Sequence, residues 1–359
     1  MCRDSIYCEI EGDIRIEANS STIFVAKVSS PQSWTVAPCP RKGRTGVKKW
    51  QVTTFEQEQS IPMCNQHHRH PAILFSTGGH ARNYYHSYAD VMFPLYLTSY
   101  EFQGEVQFLP TDYDHWWIKR FRQILNKLTN HNVFNIDGQT LMVHCYTKMR
   151  IGLKFYKPLV SHPRQSLPSM QTFRSLLREV YSLKREKAQR GRPRLMIIDR
   201  KFTRILTNAG EVSRAAAEVG FEVVVVEPEY TKEVSRSVKA INTCDVLVGV
   251  HGAGLTNMLY LPNDAVLVEI VPFGSVELFA KVFDESSAGM NLRYLEYKTA
   301  ANESSLVQKY STDLPFMRDP ESLVPSNKGI ISDIRNQNVT VDLGRFKETL
   351  VKALELLSH

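Results

Sequence analysis

The sequence predicts an α/β protein made of two Rossmann-like domains facing a cleft, and three observations carry that reading. Four short runs, 195–198, 223–226, 246–250 and 266–271, consist almost wholly of Val, Ile, Leu and Met. Near-continuous apolar runs of this length are the mark of strands buried on both faces of a parallel sheet. Amphipathic stretches at 211–219 and 232–242 alternate with them, as crossover helices must. From Pro71 the first half shows a less regular version of the same alternation, and the polar run Gln189-Arg190-Gly191-Arg192-Pro193 separates the halves. The predicted domains are 1–190 and 191–340, with a terminal segment, 341–359, that carries a helix over 343–357.

Along the first half, residues 1–60 read as irregular, with short β-like stretches at 14–16 and 21–28 and a basic Pro/Gly region over 38–46. Residues 72–75 predict a buried strand, and Ser76-Thr77-Gly78-Gly79 a turn after it. A helix carrying His86 and Asp90 follows, then a strand over 105–109. The helix predicted over 115–128 places Trp117, Phe121, Ile124, Leu125 and Leu128 on one stripe. Residues 140–143 predict another strand, and 170–187 a long amphipathic helix.

Composition narrows the class. At 359 residues the chain is too long for one ordinary core. Its 43% hydrophobic and 23% charged residues are those of a folded globular protein. The net charge of +7 raises nucleic-acid binding, but the basic residues are dispersed and the densest stretch, 184–194, reads as a helix end and linker. An anionic small ligand fits the charge balance, and no nucleic-acid partner is expected. No run of 18 or more apolar residues occurs, and Met1-Cys2-Arg3-Asp4-Ser5 lacks the build of a signal peptide. Cys2 and Cys8 are near enough in sequence to close a small loop. Cys39, Cys64, Cys145 and Cys244 are scattered with no metal-binding spacing, which fits reduced buried thiols and leaves pairing open. Asn19, Asn302 and Asn338 stand in Asn-x-Ser/Thr triplets, candidate sites for a glycan and a pointer to the secretory pathway.

Three segments carry chemistry. In Val250-His251-Gly252-Ala253-Gly254-Leu255-Thr256-Asn257 a buried strand runs into a glycine turn and a short helix. Glycines admit a ligand against the backbone, and free amides at the helix start favour an anion such as a diphosphate. His251 would donate to a phosphate; a purely steric glycine turn is the plainer alternative. In Asp199-Arg200-Lys201-Phe202-Thr203-Arg204 two guanidiniums follow the first strand of the same domain, and guanidinium suits diphosphate oxygens. In the third segment, 76–90, His86 and Asp90 stand four apart on one helix face, beside Tyr84 and Tyr85 as a platform for sugar rings. A carboxylate here could take the proton of an attacking hydroxyl, although spacing alone equally describes a structural His–Asp bond.

Two further features need weighing. Asp112-Tyr113-Asp114 is a literal DxD, a metal-binding pattern elsewhere, but Asp114 immediately precedes a helix and reads as its N-cap. No metal site is expected. Glu269 is a carboxylate inside an apolar strand and must be paired; a ribose hydroxyl would serve. Tyr294 and Tyr297 read as packing.

Together these segments resemble glycosyltransferase family 61, and within it the plant branch that acts on xylan. The resemblance rests on Phe75-Ser76-Thr77-Gly78-Gly79, the 83–90 helix, Trp116-Trp117, Asp199-Arg200 with Arg204, residues 250–257 and 293–297, and Asn338-Val339-Thr340-Val341-Asp342. It runs from about residue 7 to the C-terminus. It implies a GT-B-like arrangement, with acceptor on the first domain, UDP-sugar on the second, and the terminal helix crossing back to the first. It implies an inverting, metal-independent transfer of xylose or arabinofuranose to xylan, with no cofactor beyond the co-substrate. Asp90 is then the base and His86 its orienter. Arg200, Arg204, His251, Gly252, Gly254, Thr256, Asn257 and Glu269 hold the donor, and Tyr84, Tyr85, Trp116 and Trp117 the acceptor. It also implies a Golgi-lumenal protein held to the membrane by an anchor that this sequence lacks. Transfer of xylose or N-acetylglucosamine to glycoproteins is one alternative, and an inactive glycan-binding protein is another.

Overall fold

The chain divides into two units, residues 1–169 and 170–359. The structure, a computed structural model, describes residues 7–41, 45–57, 61–163, 167–188, 191–227, 234–274, 277–320 and 327–358.

The first unit is built on a mixed sheet. Its strands are β1 (Tyr7–Glu17), β2 (Thr22–Val25), β3 (Ser33–Val36), β4 (Trp50–Thr54), β5 (Gln66–His67), β6 (Ala72–Ser76), β7 (Gln107–Thr111) and β8 (Val143–Gly152). Their order is β3-β4-β2-β1-β8-β6-β7, with β5 beside β8. β1 runs antiparallel to β2 and β8, while β6 runs parallel to β7 and β8. This unit is therefore not the Rossmann-like domain expected. The segment read as irregular supplies four strands: Ile14, Ile16, Ile23, Val25, Trp50 and Val52 share one core with Leu74 and Ile151. The strand expected over 140–143 begins where that prediction ends.

Helices follow the parallel strands. α1 (Tyr84–His86), a π-helical turn (Ser87–Met92) and α2 (Phe93–Ser99) run on after β6. α3 (His115–Leu128) buries Trp117, Phe121, Ile124, Leu125 and Leu128, the stripe predicted for it. Cys64 and Cys145 form a disulfide, so two of the four scattered cysteines are paired, while Cys39 and Cys244 are buried thiols. Cys8 is disulfide-bonded too; Cys2, its expected partner, lies outside the described residues.

The second unit is a parallel α/β layer. Its elements are α4 (Met170–Tyr181), β9 (Arg194–Ile198), α5 (Ala209–Val219), β10 (Glu222–Val226), α6 (Val234–Asn242), β11 (Val246–Val250), β12 (Val266–Val271), α7 (Glu277–Ala288), β13 (Arg293–Lys298), α8 (Pro315–Arg318), α9 (Lys328–Asn336) and α10 (Leu343–Ser358). The strand order is β10-β9-β11-β12-β13, parallel throughout. Chain order reverses between β9 and β11, and in such sheets a ligand binds beyond the carboxyl ends of the strands at that reversal.

Two boundaries differ from expectation. α4 belongs to the second unit, because the buried Arg174 guanidinium bonds the Leu259 carbonyl at 3.2 Å and Asn263 Oδ1 at 3.1 Å. The division thus falls at 169/170 and not at the polar run, of which Gln189 and Arg190 lie outside the described residues. The terminal helix packs on the second unit's own core. Phe346, Leu350 and Ala353 of α10 complete the core that holds Leu195, Val248 and Val268.

Candidate functional site

At the sheet's reversal point the second unit brings together the residues that follow β9 and β11. The Arg204 guanidinium donates through Nη1 to the His251 carbonyl at 2.8 Å. Arg200 is folded back by its own loop, donating through Nε to the Thr203 carbonyl at 2.8 Å. Both guanidiniums lie over Gly252. A Cβ on Gly252 would stand 2.6 Å from Arg200 Nη1 and 3.1 Å from Arg204 Nη1, and its φ of +152° also favours glycine. Arg204 itself sits at φ 55°, a left-handed conformation uncommon for a side-chain-bearing residue and frequent where function over-determines the backbone. Two half-buried cations are thus held side by side over a glycine turn, a geometry that fits a diphosphate.

His251 is fixed from behind. Its Nδ1 bonds Glu269 Oε1, and Tyr294 donates to Glu269 Oε2 at 2.8 Å. Burial pushes the Glu269 carboxyl above its ordinary value, against the opposing pull of His251. The Tyr294 phenol is raised by burial and by the charge of Glu269. Glu269 is fully buried with both oxygens engaged by protein, so it orients His251 and does not meet a ribose. Tyr294, read as packing, turns out to belong to this chain of bonds. The turn continues into a 3-10 helix, Ala253–Tyr260. Gly254 and Thr256 lie buried within it, and Thr256 Oγ1 has no hydrogen-bond partner among the described residues. Asn257, next to them, is half-buried.

In the first unit the turn after β6 builds a second cluster. Asn83 Oδ1 accepts from the Tyr85 and His86 amides and starts α1. The π turn follows, closed by the Phe93 amide on the Tyr88 carbonyl, and such turns are frequent at functional sites. His86 Nδ1 meets Asp90 Oδ2 at 2.8 Å, as the i,i+4 spacing anticipates. Arg41, which the sequence reading did not single out, ion-pairs with Asp90 Oδ1 at 2.7 Å. Only its place in the basic stretch 38–46 could have drawn attention to it.

The aromatic residues separate. Trp117 is fully buried against Phe121, and Tyr84 is buried edge-on to Tyr88. Neither can offer a face to a sugar. Trp116 is 41% exposed and, with Tyr113 and Arg82, lines an open pocket of about 570 Å³ that begins at Thr77-Gly78-Gly79. Tyr85 is half-buried beside His86.

Both DxD carboxylates are engaged by the chain itself. Asp112 accepts from the Lys48 amide and from Ser76 Oγ at 2.6 Å. Asp114 caps α3 through the Trp116 and Trp117 amides and pairs with Arg82. Of the candidate glycan acceptors, Asn19 and Asn302 are exposed. Asn338 is half-buried, with its Oδ1 accepting from the Ile205 amide at 3.0 Å.

Comparison with known proteins bears on both clusters. The family described as Glycosyltransferase 61 matches residues 84–268. An alpha-1,3-arabinosyltransferase of Oryza sativa subsp. japonica is 35% identical over 98% of this chain and 63% of its own length. A beta-1,2-xylosyltransferase of the same organism is 34% identical over 98% of this chain and 82% of its own. A xylan glycosyltransferase of Arabidopsis thaliana is 30% identical over 96% and 76%. The chain thus spans less than two thirds of the arabinosyltransferase.

Proposed function

The chain belongs to glycosyltransferase family 61, and on that premise we propose that it transfers a pentose, xylose or arabinofuranose, from a UDP-sugar to xylan with inversion and without a metal. The observation that carries the donor half of this reading is the convergence of Arg200, Arg204 and the His251 turn on Gly252. Two guanidiniums can neutralise the departing diphosphate, the task a metal performs in other transferases. The division of labour is GT-B-like: donor on the parallel unit, acceptor on the mixed one. The acceptor lies along the Trp116 pocket toward His86.

For the base the geometry favours the pair over Asp90 alone. Both Asp90 oxygens are engaged, by Arg41 and by His86. The bond to Asp90 keeps the proton on His86 Nδ1 and makes Nε2 the basic nitrogen. In the proposed step the acceptor hydroxyl loses its proton to His86 Nε2. Its oxygen attacks the anomeric carbon from the face opposite UDP, and the carbon–oxygen bond to UDP breaks. Asp90 stabilises the imidazolium that forms, and Arg41 keeps the carboxylate in place. The disulfide and the exposed Asn19 and Asn302 support a place in the oxidising secretory pathway, the Golgi lumen.

The deciding experiment offers UDP-xylose, UDP-arabinofuranose and UDP-N-acetylglucosamine to the protein with xylo-oligosaccharides, with and without EDTA. Pentosylated product that persists in EDTA is expected. Loss of product in EDTA with rescue by manganese would overturn the metal-free step. Transfer confined to N-acetylglucosamine would move the acceptor class to glycoproteins. No transfer and no donor hydrolysis would leave a glycan-binding protein.

A further inference from the structure

We propose that the first unit carries a zinc site, formed by His70, Glu105 and His131, at the end of the sheet opposite the His86 cluster. His70 Nδ1 and His131 Nε2 stand 3.3 and 3.2 Å from the same carboxylate oxygen, Glu105 Oε2. All three ligand atoms lie within 4.8 Å of one another. Zinc binds imidazole nitrogen and carboxylate oxygen at about 2.0–2.1 Å in tetrahedral geometry, which separates neighbouring ligand atoms by roughly 3.3 Å. Two of the three edges already have that length. The two imidazoles lie close, with ring centroids 3.8 Å apart and planes tilted by 34°, and each sets a nitrogen beside the same carboxylate oxygen.

The surroundings supply what a metal site needs beyond its ligands. Asn130 Nδ2 donates to the other Glu105 oxygen, Oε1, at 2.7 Å, a bond that aims Oε2 at the two rings. That bond depends on Gly104, where a Cβ would come within 2.8 Å of Asn130 Nδ2. The loop holding His131 is pinned by Thr129 Oγ1, which accepts from the His131 amide at 3.0 Å. Glu105 is 56% exposed and His70 42% exposed, which gives the ion an entry path and leaves a fourth position for water. The cluster of Cys64, His67 and Cys145 is no rival, because its two cysteines form a disulfide.

The site's place in the fold assigns its role. His70 and Glu105 stand just before β6 and β7, and His131 just after α3. His86 follows the opposite end of β6, whose five residues span roughly 16 Å. Zinc here fastens the entries of two strands to the exit of a helix and takes no part in the proposed transfer.

Zinc titration of the chelator-stripped protein, followed by calorimetry, tests the site. One ion per chain is expected, with a Tm that rises with zinc concentration by mass action. Cobalt in place of zinc should show the visible absorption of a tetrahedral site. His131→Ala should abolish both signals, and the exposed Glu105→Gln should weaken binding at least about tenfold; it serves as the test if His131→Ala fails to fold. Absence of stoichiometric binding in the wild type, or equal binding by wild type and Glu105→Gln, would overturn the proposal. None of these readouts depends on transferase activity, so the site and the proposed function stand or fall separately.

Discussion

The two units each hold a histidine against a carboxylate through Nδ1, and they differ in what the second carboxylate oxygen meets. In the His86–Asp90 pair that oxygen faces a cation, Arg41, at 2.7 Å. In the His251–Glu269 pair it accepts from a neutral phenol, Tyr294, and the carboxylate is wholly buried. A carboxylate bridging a guanidinium and an imidazole can stabilise the imidazolium that forms, so the first pair suits proton transfer. Burial penalises the charge on Glu269, so the second pair suits fixing a donor-side histidine. The same two residue types are thus suited to two tasks, base and brace in the proposed mechanism, and the third partner makes the difference.

The largest effect should come from breaking the first pair. Loss of a general base typically costs about 10²–10⁴-fold in rate. His86→Ala and Asp90→Asn should each lower transfer at least about a hundredfold while UDP affinity, measured by calorimetry, stays within about twofold. If Asp90→Asn transfers normally, the comparison fails, because the carboxylate is then only structural. Next in size is the diphosphate grip. Charge-assisted bonds are worth roughly 1.5–3 kcal/mol, so Arg200→Ala or Arg204→Ala should weaken UDP binding about ten- to a hundredfold. Intact affinity in both variants would place the donor elsewhere. A smaller effect, and a sharper one, concerns Gly252. The atom that its Cβ would strike is the far end of a flexible arginine, while its φ of +152° strains any side chain there, so Gly252→Ala should displace Arg200 and also lower the Tm. The loss of UDP affinity should therefore be no greater than for Arg200→Ala. It should also largely disappear when introduced into Arg200→Ala; full additivity in that cycle would show that the glycine acts independently.

How much of this was legible follows the same division. The second unit's strands are buried runs bounded by turns, and all four predicted runs are strands; only β10, at the sheet edge, is more exposed than its valines suggest. The first unit's strands within 7–54 were read only in fragments, at 14–16 and 21–28, because they are joined by hairpins and irregular turns. Their alternation is interrupted as well: Arg15 lies buried between Ile14 and Ile16, its guanidinium held by Asp13 and the Pro62 carbonyl. The family resemblance was sound, and the His86–Asp90 contact was visible as an i,i+4 spacing. Arg41 was not, since it reaches Asp90 from 49 residues earlier in the chain. Tyr294 could have been found from register. Glu269 lies opposite Glu296 on β13, and Tyr294, two residues earlier, shares its face. Trp117 was legible as core, because the predicted 115–128 stripe already grouped it with Phe121 and Ile124, against its assignment to the acceptor.

The smallest effect tests the brace itself through pH. Because burial holds the Glu269 carboxyl above its ordinary 4.5, the folded chain binds that proton more tightly than the unfolded chain does. Its contribution to stability is complete below the ordinary value and declines as pH rises through the raised one. Glutamine carries no proton to lose, yet its amide can still reach His251 and Tyr294. Glu269→Gln should therefore gain on the wild type as pH rises from about 4 to 7, by no more than a few degrees in Tm for a unit of this size. UDP affinity should fall less than in either arginine variant, because His251 is loosened and not removed. Parallel Tm–pH curves for the two proteins would show that Glu269 carries no raised carboxyl. The distinction between an ion-paired carboxylate and a buried brace would then have lost its physical ground.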